Sequence, residues 1–363
     1  MKLHIFNPEH DIALSANNDF WTAPHAGRRL RSDLCWLPAI WSEEGDVVLV
    51  EDVEYALLAQ KKAGVGRKGI RFVNMRDRNA VLQLNAMAEE VCPWGWDRNI
   101  VHILNKCGIE RSKMPSPESL EFFREVSDRR TSSMLLADIR KDIGGLCGEA
   151  HVLTEFPDLL RHVAMWDKVV LKSPWSSSGR GVRYVSDISE TTKRWVMKVL
   201  RTMGHIMVEP MLDKILDFGM EYNVLSNGEV EYCGLSLFKT VHGAYEGSIL
   251  ALEEEKEELL ERYVDKQLLL DVQRYIASWM KEKLNGRYHG PFGVDMMIVR
   301  TVDNAGTPHI AIDPCVEINL RRTMGHVALS LSPTERGKEE VMQIAYEGTG
   351  YHFRKFTDHE LLF

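Results

Sequence analysis

The chain has 363 residues, 44% hydrophobic and 27% charged, and its 45 Lys and Arg against 53 Asp and Glu give a formal net charge of −8. That length exceeds one compact core and predicts two or three packed units of an ordered globular protein. The acidic balance excludes general nucleic-acid binding, since such a chain repels phosphate backbones on average.

No apolar run approaches the ~18 residues that a membrane span needs. Asn7, Glu9, His10 and Asp11 interrupt the stretch where a secretory leader would be apolar. Cys35, Cys92, Cys107, Cys147, Cys233 and Cys315 are scattered without a C-x-x-C pair. That predicts reduced thiols, no metal cluster of cysteines and a cytoplasmic location.

Residues 2–6 predict a short strand closed by Asn7-Pro8, and 26–41 a helix with Leu30, Leu34, Leu37, Ile40 and Trp41 at helical spacing. A strand over 46–52, a helix over 53–64, a strand over 69–75 and a helix to about residue 90 follow. This alternation predicts a small parallel α/β domain over residues 1–100. Residues 97–143 read as helical, with breaks at Gly108 and around Pro115 and Pro117.

Strands return from 149: one leads into a helix, and 168–172 and 182–186 flank a Gly/Ser loop. A helix over 190–203, a strand over 205–210 and a hairpin of 220–226 with 229–238, turning at Asn227-Gly228, come next. Residues 252–283 predict one long amphipathic helix with Leu259, Leu260, Tyr263, Leu269, Val272, Ile276 and Trp279, its charged face solvated. Strands are expected over 292–300 and 309–320, and no internal repeat is visible.

The first local signal is KVVLKSPWSSSGRGVRYV, 168–185. A strand ends at Lys172, and a loop holding Ser176, Ser177, Ser178, Gly179, Arg180 and Gly181 leads into the next strand. Small residues let the backbone approach phosphates closely, and Lys172 with Arg180 supplies positive charge. The loop opens a strand rather than a helix, so it is neither a Walker loop nor a dinucleotide fingerprint.

The second signal lies about 120 residues on. Asp295 sits among apolar strand neighbours, where a carboxylate is disfavoured. Glu317 and Asn319 follow at i and i+2, so a strand points both to one face, and Arg321 continues it. Two carboxylates and an amide oxygen are hard ligands suited to Mg²⁺. Asp313 reads as a turn residue beside Pro314.

Together these motifs resemble the ATP-grasp superfamily, which includes D-alanine–D-alanine ligase and biotin carboxylase. The resemblance covers about residues 128–330. It implies an α/β chain in which the small parallel domain precedes a two-lobed ATP-grasp unit, with lobes at 101–205 and 206–363. By resemblance, Lys172 and Ser176–Gly181 contact ATP phosphates, Glu209 and the backbone of Met211 receive adenine, and Glu221 binds ribose. Lys239 is similar to a second phosphate-contacting lysine. Asp295, Glu317 and Asn319 resemble the ligands of Mg²⁺ (or Mn²⁺), and Arg321 the arginine of an E-x-N-x-R motif. Where members carry a nucleotide-contacting lysine, this chain has Arg129, with Arg130 as the alternative.

The resemblance implies an ADP-forming ligase in which Arg321 and Lys239 neutralise charge while a carboxylate is activated as an acyl-phosphate and joined to an amine of the amino-acid or peptide class. Carboxylation, small-molecule phosphorylation and a non-catalytic nucleotide-binding role are the alternatives. Small-molecule carboxylate and amine partners are expected, with no nucleic acid and no membrane, and the family suggests a homodimer. Candidate acceptor contacts are His10 and Asp11, Tyr245 within a lid-like loop over 240–248, and Arg322. Arg28, Arg29 and Arg31 read as a solvated basic helix face.

Overall fold

The computed structural model describes residues 1–176, 181–241, 243–302 and 306–357. The first unit is a parallel sheet of β1 (Lys2–Ile5), β2 (Val47–Val50), β3 (Arg71–Asn74) and β4 (Glu90–Pro93) in the order β3-β2-β1-β4. All four residues of β2 are buried, which is why it reads as an unbroken apolar run. Helices α1 (His10–Ala16), α2 (His25–Asp33), α3 (Val53–Ala63) and α4 (Arg78–Met87) lie between the strands. Asp52 and Asp77 accept from Tyr55 N and Ala80 N and cap α3 and α4.

Two expectations change here. The helix over 26–41 stops at Asp33, and Leu37–Ile40 forms a separate 3-10 turn with Pro38 near its start. The helix expected to reach residue 90 ends at Met87, and Glu90–Pro93 is an edge strand, where Pro93 costs no central ladder bond.

Helices α5 (Arg98–Cys107), α6 (Pro117–Val126) and α7 (Arg129–Asp142) follow. Their buried Leu104, Leu120, Phe123, Leu135 and Ile139 share one core with Leu3 and Leu49 of the first sheet and with Phe218 and Phe292 further on. One core therefore runs through the first sheet, these helices and the strands further on.

A smaller core stands alone. β5 (His151–Leu153), α8 (Phe156–Trp166), β6 (Val169–Lys172), β7 (Val182–Val185), α9 (Glu190–Met203) and β8 (Ile206–Pro210) build an antiparallel sheet, β5-β8-β6-β7, around Leu159, Leu171, Val196 and Ile206.

The rest is a seven-stranded antiparallel sheet of β9 (Asp213–Val224), β10 (Val230–Val241), β11 (Ala244–Leu250), β12 (Gly290–Val302), β13 (Pro308–Asn319), β14 (Glu340–Tyr346) and β15 (Tyr351–Phe356). Its order is β13-β12-β9-β10-β11-β14-β15. Helices α10 (Glu253–Glu261), α11 (Lys266–Leu284) and α12 (Met324–Leu331) complete it. The single helix expected over 252–283 is two, because Asp265 caps a new start by accepting from Gln267 N. The lid-like loop over 240–248 is mostly strand: β10 runs to Val241 and β11 begins at Ala244, with Gly243 at φ 76° in the turn and His242 outside the described residues.

The last strand returns to the first unit. Tyr351 N donates to Asp33 Oδ2 at 2.8 Å, Arg29 donates to Thr349 O at 2.6 Å, and Phe353 packs edge-on to Trp36 at 5.7 Å. No helix among the described residues is long and apolar enough to cross a membrane.

Candidate active site

Strands β12 and β13 set Asp295 directly opposite Glu317. Like charges facing each other across a ladder repel. Burial, then Glu317 and Glu221, push the Asp295 carboxyl up to about 8. Asn319 sits between this pair and Arg321: its Nδ2 donates to Asp295 Oδ2 at 3.0 Å, and its Oδ1 accepts from Arg321 at 2.8 Å. The amide oxygen keeps a second lone pair.

Arg321 also donates to both carboxylate oxygens of Asp11, at 3.0 and 2.9 Å. Burial works to raise the Asp11 carboxyl, yet the Arg321 charge and hydrogen bonds hold it below its ordinary range. His10 points elsewhere. Its ring is buried, 3.1 Å from Asp97, and is packed so closely on Gly95 that any side chain there would collide with it. His10 therefore leaves the group of acceptor contacts and serves the turn after β1.

Arg129 begins α7 and is buried. It donates to Ser173 O at 2.6 Å, to Ser176 Oγ at 2.9 Å and to Glu317 Oε1 at 2.7 Å, while its Nε is buried without a partner among the described residues. One guanidinium thus ties the start of the Gly/Ser loop to the carboxylate pair. Arg130 instead turns to Asp128, the α7 cap, at 2.8 Å and is half exposed. Of the two, Arg129 is the one that reaches Ser176 and Glu317.

Ser173 N donates to Gly181 O at 2.8 Å, closing the loop's base. A Cβ on Gly181 would lie 2.1 Å from Ser173 Oγ, so the turn admits only glycine. Ser177, Ser178, Gly179 and Arg180 lie outside the described residues.

Lys172 pairs with Glu209 at 2.6 Å and donates to Val316 O at 3.3 Å, linking β6 and β8 to β13. Beside them Asp313 is a buried strand residue rather than a turn residue. Burial, then the Glu209 charge, push its carboxyl up to about 7. Met211 N donates to Lys168 O at 3.0 Å, and its side chain is half exposed.

Glu221 departs from a ribose contact. It is 1% exposed and accepts from Ser236 Oγ and Thr323 Oγ1, both at 2.8 Å, with His326 Nδ1 at 3.0 Å. Burial works to raise its carboxyl, but His326 and these donors hold it below its usual range. A Cβ on Gly325 would fall 1.8 Å from Glu221 Oε1, so the start of α12 closes directly onto this carboxylate.

Lys239 pairs with Glu246 at 3.7 Å, off the cavity wall, while its neighbours Phe238 and Thr240 take the cavity side of β10. Arg322 also leaves the cavity: its guanidinium lies 4.7 Å over the Trp41 ring. Tyr245 lines the cavity, its hydroxyl 2.8 Å from Ser248 Oγ.

Asp11, Arg129, Ser176, Tyr245, Asp295, Glu317, Asn319 and Arg321 all border one cavity of about 500 Å³. Sequence reasoning missed Ser236 on its wall, and it took 7–11 and 321–326 as candidate acceptor stretches without singling out Glu9 or Thr323, which also border the cavity. Thr323 had a readable signal, since a threonine at the head of a helix is a capping residue, and it accepts from His326 N at 3.2 Å.

No three His, Cys, Asp or Glu side chains among the described residues form a ready metal cluster. The donor set is two opposed carboxylates and an amide. It suits an ion that takes the rest of its shell from water and phosphate oxygens, and the raised Asp295 carboxyl is one that a cation would return to its charged form.

No family model matches the sequence, and a search of curated proteins finds no match. Solved structures do match. The chain is similar to the biotin carboxylase–βγ-ATP complex from Campylobacter jejuni, at 12% identity and TM-score 0.50, covering 94% of this chain and 75% of that one. It is similar at 12% identity and TM-score 0.50 to pyruvate carboxylase from Rhizobium etli with acetyl coenzyme A, covering 94% of this chain and 31% of that one. A third match, N5-carboxyaminoimidazole synthetase from Staphylococcus aureus with ADP, has 13% identity and TM-score 0.45 over 95% of this chain and 82% of that one. At these identities the likeness is one of fold, and the fold is ATP-grasp.

Proposed function

We propose that this ATP-grasp chain is an ATP- and Mg²⁺-dependent ligase of the cytoplasm that activates a carboxylate and joins it to an amine. The observation that carries the reading is Asp295 facing Glu317 across β12 and β13, with Arg129 and Arg321 beside them in one cavity. Such a pair of opposed, partly buried carboxylates serves a divalent cation better than it serves the fold.

In this reading Asp295, Glu317 and Asn319 hold Mg²⁺, which supplies charge neutralisation at the phosphates. Lys172, Ser176, Gly181 and Arg129 hold the phosphates, and Glu209 with the Met211 backbone holds the base. A substrate carboxylate oxygen bonds to the terminal phosphorus as the bridge to ADP breaks. The amine nitrogen then bonds to the acyl carbon, phosphate leaves, and the nitrogen gives up a proton. Positioning and electrostatics do most of the work in such transfers. All six cysteines are free, as a reducing compartment requires.

Incubation with ATP, Mg²⁺, hydroxylamine and a panel of carboxylic acids tests the reading. The expected result is an ATP-dependent hydroxamate with at least one acid, absent in Glu317→Gln. ATP turnover without any hydroxamate would overturn carboxylate activation in favour of carboxylation or transfer to another acceptor.

A further inference from the structure

Trp175 stands one residue before Ser176 at the start of the Gly/Ser loop, yet it does not pack with the small sheet that carries the loop. It is 6% exposed and takes no part in the core around Leu159 and Val196. Its indole Nε1 donates to Arg124 O at 3.0 Å, and the Arg124 guanidinium lies 3.8 Å over its ring. One residue of α6 thus grips the indole twice, by its carbonyl at the rim and by its charge on the face. The His205 ring meets the indole edge-on at 6.3 Å.

The neighbours of Trp175 are held from the same side. Arg129 N donates to Pro174 O at 3.2 Å, between the contacts that the Arg129 side chain makes to Ser173 and Ser176. Four consecutive residues, 173–176, are therefore fastened to α6 and to the first residue of α7. Those helices belong to the large core, where Phe123, Val126 and Leu135 are buried. The chain leaves its own sheet at Lys172 and is at once tied to a different core.

Arg124 extends the tie. Its Nε donates to Leu14 O at 2.8 Å, in α1. That helix has no basic residue in its last turn, so Arg124 supplies the cation that a helix's carbonyl end favours. Asp11, in the same helix, holds Arg321. The start of the loop and the residues just after β13 are joined through α1.

Packing alone would be met by any ring of that size. The indole N–H and the guanidinium on the ring face add direction, and Ser176, the next residue, stands on the cavity wall. Resting on the phosphate-holding role proposed above for Ser176 and Gly181, we infer that Arg124 and Trp175 are positioning residues: they hold the root of the Gly/Ser loop on the large core, in place for phosphates before a nucleotide arrives. Ordering the root in advance removes that cost from binding. A freed root spends less time in the competent arrangement, and the apparent dissociation constant rises by the inverse of that fraction.

Calorimetric titration of the full chain with ADP and with adenosine, in the presence of Mg²⁺, tests this independently of turnover. Adenosine has no phosphate to offer the loop, and where it binds weakly its affinity is read by displacement of ADP. Arg124→Ala should weaken ADP by about ten-fold, the scale of one desolvated cation–π contact. Trp175→Phe keeps a ring beneath the guanidinium and loses the N–H, and should weaken ADP by about three- to ten-fold. Arg124→Lys keeps a cation at the ring and should stay within about three-fold of the parent. Glu121→Ala removes the exposed partner of Arg124 and should leave ADP within about two-fold. Adenosine should bind every variant within about two-fold of the parent.

Undiminished ADP affinity in Arg124→Ala, or an equal loss for adenosine, overturns the inference. Should Arg124→Ala not fold, the same two readings on Trp175→Phe decide it. The readings fail separately. A parent that binds ADP no more tightly than adenosine sinks the phosphate role of the loop and this inference with it. A parent that prefers ADP, with variants that match it, sinks this inference alone. The stated binding pattern without any hydroxamate sinks the ligase and keeps the anchored loop.

Discussion

Asp11 and Arg321 are 310 residues apart and hold each other through hydrogen bonds of 3.0 and 2.9 Å. The pair fastens the first turn of α1 to the residues just after β13, and through Asn319 it reaches Asp295. The side chains keep only 14% and 15% of their exposure, so neither charge is well served by water once its partner is gone. Asp11→Ala should cost about 2–3 kcal/mol of stability, somewhat below the loss typical of fully buried pairs. Chemical denaturation checks it, and a double-mutant cycle with Arg321→Ala should show a coupling of more than about 1 kcal/mol. Additive single losses would mean the pair does not act as a unit.

Arg129 bridges Ser176 and Glu317 with a forked set of donors that a lysine cannot reproduce. Arg129→Lys keeps the charge and should still reduce ATP-dependent hydroxamate formation by roughly 10–100-fold. Arg130→Lys, whose side chain turns to Asp128, should stay within about two-fold of the parent, the scale of an exposed ion pair. Steady-state kinetics on both variants makes the comparison, and equal losses would remove Arg129 from its special place.

Much of this site was legible in the sequence, and the reason is local. Glu317, Asn319 and Arg321 share a strand face at spacing two, and their grouping needs no tertiary knowledge. The same holds for the Lys172 strand and the tight return at Gly181. What was illegible depends on partners far away in the chain. Glu221 is saturated by Thr323 and His326, about a hundred residues on, so its likeness to a ribose contact gave no hint of its burial. His10 looked like an orphan polar residue because its partner, Asp97, lies 87 positions away. Strand β11 was hidden by the glycines Gly243 and Gly247, which read as loop although the stretch pairs on both edges. The break between α10 and α11 was readable from Asp265 and was passed over in favour of charge content.

Asp295→Asn should divide activity from stability. Its carboxyl titrates at about 8 in the fold and about 3.9 in an unfolded chain, so in the absence of divalent cation the parent loses stability as pH rises from 4 to 8. The asparagine variant carries no such penalty. Without added cation it should melt higher than the parent at pH 8 and show little difference at pH 4, while losing hydroxamate formation by about 100-fold or more. A lower melting temperature at pH 8 would contradict the raised carboxyl.

Asp313 offers the same sign at a place that holds no proposed metal. Its folded value of about 7 is raised above the unfolded one, so the protein gives up stability between pH 4 and 7 and no more beyond. Asp313→Asn keeps the acceptor for Cys315 N, 3.3 Å away. The stability gained by this variant should grow across that window and level off above it. Denaturant midpoints at pH 4.5, 6 and 8 read it directly, and a gain that shrinks with rising pH would reverse the assignment.

The return of β15 to α2 sets an order of events during synthesis. Tyr351, Thr349 and Phe353 meet Asp33, Arg29 and Trp36 more than 300 residues after those were made. At roughly 5–20 residues per second the ribosome leaves the apolar wall around Leu34 unfinished for tens of seconds. Through that interval the nascent chain carries an open greasy face, a natural hold for a chaperone. The cavity lining is complete only once Ile344 and Tyr351 have emerged.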